Sequence, residues 1–155
     1  MDDIEWMQVD QDGDFVAAVR ALEATIYEAA KGAFNEVKSS YDNATIAKRS
    51  DPHHSEPVKN AHGNTVVSMV FTTRKEVPTP VWVESVWTHS HVRVVENAPG
   101  MKLQVLTSRS GHGVDGNRPT IHATYDLNAM RSDGFRDELN NAIAKAINSL
   151  RASVL

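Results

Sequence analysis

Thr65-Val66-Val67-Ser68-Met69-Val70-Phe71-Thr72-Thr73-Arg74 is the stretch whose reading decides the fold. β-branched and aromatic residues dominate it, and Val67, Met69 and Phe71 alternate with smaller or polar neighbours. Side chains two apart lie on the same face of a strand, so the pattern predicts a strand with one buried face. Three further segments read the same way: Val81–Glu96, Met101–Arg109 and Thr120–Leu127. The breaks between them are Pro78-Thr79-Pro80, Asn97-Ala98-Pro99-Gly100 and a glycine-rich turn, all sequences that end strands. The expectation is a four-stranded antiparallel meander. Its core face would hold Val67, Met69, Phe71, Met101, Leu103, Val105, Ile121, Ala123, Tyr125 and Leu127. The second strand breaks the rule, because its apolar parity drifts from Val81, Val83 and Trp87 to Val92 and Val94, which predicts a bulge or burial on both faces.

Helical periodicity flanks the strands. Phe15, Val19, Leu22, Ile26, Ala30, Ala33 and Val37 recur every three or four residues and predict a helix over Phe15–Ser39, with Asp12 or Asp14 as its cap. Phe135, Leu139, Ile143, Ile147 and Leu150 predict a second over Asp133–Ala152, with Ser132 or Asp133 as its cap. Residues 42–64 hold Pro52, Pro57, Gly63 and no apolar period, and read as a long loop. The fold class is therefore α+β in the order α-β-β-β-β-α, on one domain of 155 residues.

Composition narrows the function by exclusion. The chain has no cysteine, which removes disulfides, thiolate nucleophiles and Cys-ligated zinc. No apolar run is long enough to span a membrane and the first residues are acidic, so a cytoplasmic protein without a membrane partner is expected. Residues 1–30 carry eight acids against Arg20 alone, a balance of −7, while the remainder carries 15 bases against 12 acids. An acidic leading segment on a near-neutral body argues against a nucleic-acid partner.

Candidate chemistry is sparse. Gly111-His112-Gly113-Val114-Asp115-Gly116 has the spacing of a phosphate-binding loop, but Asn117-Arg118-Pro119 and a strand follow where a helix is required. Asp10-Gln11-Asp12-Gly13-Asp14 resembles the start of a calcium loop, yet Phe15 and Ala21 occupy the positions that need Gly and Glu. His53, His54, Glu56 and His62 cluster in the loop without the spacing of zinc ligands. His89 and His91 share one strand face, and whether His122, on the polar parity of the fourth strand, joins them there depends on the irregularity in the second strand. Trp82 and Trp87 have opposite parity on that strand, so at least one of them faces away from the core unless a bulge intervenes. Trp82, Trp87, His89, His91 and His122 are thus the candidate ligand or interface residues. No catalytic constellation is legible, and neither a metal nor a cofactor is assigned.

The α-β-meander-α outline resembles the small ring-forming tail or neck proteins of phages, and also secretion chaperones of the type III class. The resemblance is of outline and rests on no residue motif. It implies a non-catalytic binding or assembly protein with protein partners or self-association, virion-associated if a tail component, and alternatively a chaperone-like adaptor. A small-ligand or metal-binding domain using the His-lined face is a further reading, and an enzyme using those histidines as general bases ranks last.

Overall fold

A computed structural model describes residues 3–49, 64–97, 102–111 and 119–154. The elements run α1 (Asp3–Val37), one 3-10 turn (Lys38–Ser40), β1 (Asn43–Lys48), β2 (Asn64–Pro78), β3 (Val83–Asn97), β4 (Lys102–Gly111), β5 (Thr120–Tyr125), α2 (Leu127–Met130) and α3 (Phe135–Val154). The class is α+β, with five strands rather than four, all antiparallel in the order β1-β2-β3-β4-β5. The added strand lies at the start of the expected loop, and Ala44 and Ile46 pair with Phe71 and Met69. Edge position explains how it escaped notice, since β1 rests on a neighbour at one side only and needs few apolar residues.

Both long helices pack on one face of the sheet. Phe15, Val19, Ile26, Ala29, Ala30, Ala33 and Phe34 of α1 form a buried cluster with Phe135, Leu139, Ile143, Ala146, Ile147 and Leu150 of α3. Val67, Met69, Phe71, Val92, Val94, Leu103, Val105 and Tyr125 supply its floor. Removing each of the larger aliphatic and phenyl side chains from water contributes about 1.5–3 kcal/mol, which is what offsets the entropy of ordering these elements. Phe71 lies between Phe34 and Tyr41, with ring centroids 5.5 and 4.8 Å away. Gly32 is a point of close approach between the helices: a Cβ there would sit 3.0 Å from Asn140 Nδ2. That amide donates to the Ala29 carbonyl at 2.8 Å and ties α3 to α1.

The helix ends differ from expectation. α1 begins at Asp3, so Asp12 and Asp14 lie inside it rather than at its start, and the calcium-loop resemblance is a stretch of helix. Its 35 residues span about 50 Å at 1.5 Å per residue. The fourth expected strand stops at Tyr125, where Asp126 accepts from Ala129 N–H and caps the short α2, so Leu127 is helical. Met101, the His53–His62 cluster and His112 to Gly116 lie outside the described residues.

Two irregularities re-aim side chains. The β2 register shifts between Thr65 and Val67, which leaves Val66 buried beside Val67. β5 carries one extra residue, His122, between the pairs Val105↔Ala123 and Leu106↔Ile121. β3 itself pairs with β2 and β4 without a shift in the part the sequence marked as irregular.

Candidate functional site

The apparent drift in β3 reflects two environments along one regular strand. β1 stops pairing with β2 at Thr72 and β4 stops pairing with β3 at Thr88. Beyond those points β2 and β3 pair with each other as far as Pro78 and Val83, with no further partner strand among the described residues. This two-stranded arm buries neither face: Val77, Val81, Trp82 and Val83 are exposed, Val81 by 79%, Trp82 by 62% and Val83 by 61%. Its tip is a tight turn held by Thr79, whose N–H donates to the Trp82 carbonyl at 2.7 Å. The Thr79 hydroxyl donates to the same carbonyl and accepts from Trp82 N–H at 3.0 Å. With Pro78 and Pro80 alongside, the tip presents Trp82 on a stiff support.

The second face of the sheet, which carries no helix among the described residues, takes the opposite parity. Trp87, His89, His91, Arg93 and Val95 follow one another along β3 on this face, opposite Arg74, Thr72, Val70, Ser68 and Thr65 of β2. Arg74 lies over the Trp87 ring, 5.6 Å from its centroid. His89 Nδ1 and the Thr72 hydroxyl share a 2.9 Å hydrogen bond, and His91 Nε2 and the Ser110 hydroxyl one of 3.0 Å. Arg93 Nη2 donates to Ser108 Oγ at 3.5 Å. Burial holds the His91 pKa below the usual histidine value, and the positive charges of Arg93 and His89 push in the same direction.

His122 is not part of this row. Its Nε2 is 2.6 Å from the Thr107 hydroxyl, and Thr107 is the register partner of the core residue Val92. The extra residue in β5 therefore turns His122 to the helix-covered side, where burial lowers its pKa. The same irregularity leaves Ile121 half exposed on the outer face, although alternation assigned it to the core. Of the five sequence candidates, the structure brings Trp87, His89 and His91 together, puts Trp82 at the arm tip and separates His122. Among the described residues no group of three His, Asp or Glu is placed to hold a metal ion.

Sequence reasoning missed the arm residues Val77, Val81 and Val83, and it missed Arg93. The available signal for Arg93 was its parity with His89 and His91.

A carboxylate network lies on the other side of the molecule. Arg49 bridges Glu23 of α1 and the buried Glu96 of β3, both at 3.0 Å. It joins three elements and has the character of a structural tie. No helix among the described residues is long and apolar enough to cross a membrane. Comparison with protein-family models, curated proteins and solved structures finds no match to this chain.

Proposed function

We propose that the chain is a non-catalytic assembly subunit whose β2–β3 arm packs on a second copy of itself, in the manner of a ring- or oligomer-forming tail component. The observation that carries this reading is the stiff arm with Val81, Trp82 and Val83 exposed at its tip. An isolated hairpin is at best marginally stable in water, and an exposed apolar ribbon invites pairing, so such an arm makes physical sense when covered. Covering each of these side chains would contribute on the order of 1.5–3 kcal/mol before the cost of association.

A second copy is the occupant favoured by Ile121, a further exposed apolar residue that lies away from the arm. Ile121 lies on edge strand β5 at the level of Arg93, ten residues along β3 from Val83. That is roughly 30 Å at about 3.3 Å per residue, too far for one copy's tip to cover its own Ile121. Two different patches on one chain make a head-to-tail contact, which closes into a ring when the rotation permits. Among the described strands β5 and the arm each have an edge without a partner, and such edges can pair with one another.

Light scattering over a range of concentrations tests the reading. A defined oligomer is expected, reduced to monomer by the double substitution Trp82→Ser and Val83→Thr with unchanged circular dichroism. A monomer at every concentration would contradict self-assembly and would leave another protein as the arm's target.

A further inference from the structure

The row on the sheet face opposite α1 and α3 has a chemistry separate from the arm. Hydroxyls line it on both sides: Thr72 is bonded to His89, Ser110 to His91 and Ser108 to Arg93. His91 reaches diagonally, because its direct register partner on β4 is Ser108, and Arg93 does so too, because its own is Leu106. Each therefore leans toward the arm end of the sheet. An Arg side chain has five donors, and the bond from Arg93 to Ser108 is a long one to a neutral hydroxyl. Among the described residues no carboxylate lies within ion-pairing distance of Arg93, His89 or His91.

The charged groups around the row are unbalanced in one direction. β2 contributes Arg74 and Glu76, which pair with each other on the arm at 3.7 Å. β4 contributes Lys102, on the parity of Ser108 and Ser110 at the far end of the strand. At the start of β1 the Asp42 carboxylate accepts the Arg74 N–H. β1 itself and β5 bring only Asn43, Thr45, Ala47, Thr124 and Ile121 to this face. A partly buried guanidinium without a facing acid among the described residues is stabilised by an anion, and hydroxyls with imidazole and guanidinium donors suit one with several acceptor oxygens.

We propose that His89, His91 and Arg93, with the hydroxyls of Ser108 and Ser110, bind a tetrahedral oxyanion of the sulfate and phosphate class. The inference does not depend on the arm. Its test follows the histidine ring signals by NMR while inorganic sulfate is added to the whole chain, because sulfate keeps its charge across the range in which histidine titrates. Saturable shifts confined to His89 and His91 are expected. Arg93→Gln should weaken sulfate at least about tenfold, an effect on the order of a lost charge-assisted hydrogen bond. Inorganic phosphate should compete for the same sites. Shifts reproduced by sodium chloride at matched ionic strength would overturn the proposal without recourse to any variant, as would sulfate binding that Arg93→Gln leaves unchanged.

Discussion

The two halves of the β2–β3 hairpin are made of similar residues and live in opposite surroundings. In the root, Val67, Met69, Phe71, Val92 and Val94 are buried under α1 and α3. In the arm, Val77, Val81, Trp82 and Val83 stand in the open, beyond the last pairs with β1 and β4. Residue type therefore does not decide burial here; the reach of the neighbouring elements does. A strand that outruns its sheet exposes what the same sequence would bury a few residues earlier.

Substitution can break that contrast. Phe71→Ala should cost about 3–5 kcal/mol in denaturant unfolding, because the surrounding Phe34 and Tyr41 rings cannot close the cavity. Val77→Ala should stay within about 0.5 kcal/mol in the monomer. A cost for Val77→Ala close to that of Phe71→Ala would mean that the arm is packed within one copy.

The boundary between root and arm is marked by Gly111, the register partner of Thr88, with φ 126°. A Cβ there would overlap the Trp87 carbonyl oxygen. Gly111→Ala should accordingly lower stability by more than about 1 kcal/mol, through both the left-handed backbone and the clash. Stability equal to wild type would show that β4 ends differently. A smaller loss is expected at Asn140→Ala, about 1 kcal/mol in thermal unfolding, since it removes the hydrogen bond to Ala29.

The smallest effect separates the two sheet faces by pH. His91 and His122 both have folded pKa values below the unfolded one, chiefly through burial. The unfolded chain then binds more protons below the ordinary histidine value, so this stability is present above it and is lost as pH falls through the folded values. Melting temperature should decline over that acidic window, and His122→Gln together with His91→Asn should flatten the decline. A double variant with the wild-type slope would assign it to other groups.

Much of the helical frame was legible. The apolar stripes over Phe15–Val37 and Phe135–Leu150 face the core as their period implied, with Leu22 and Val37 only partly buried, because a helix against a sheet must cover about one face in three to four residues. Val67, Met69 and Phe71 were legible for the corresponding strand reason. The first turns of α1 were not, since Asp10, Asp12, Gly13 and Asp14 individually favour turns and caps over helix interiors. β1 escaped because six residues on an edge carry little apolar signal. The row of His89 and His91 followed from parity, whereas His122 and Ile121 were displaced by one inserted residue, which reverses a strand's faces without changing its composition. The arm had no readable parity, since parity records a buried face and the arm has none.

The central claim is that one copy's arm tip meets another copy's β5 edge, and the chain's lack of cysteine makes a direct test clean. Val81→Cys and Thr120→Cys variants, distinguished by mass, would be mixed in equal amounts and oxidised. The account predicts that the heterodimer, in which a disulfide joins one variant to the other, dominates over either homodimer. A statistical mixture of the three products, or no intermolecular disulfide at concentrations where the wild type is oligomeric, would contradict it.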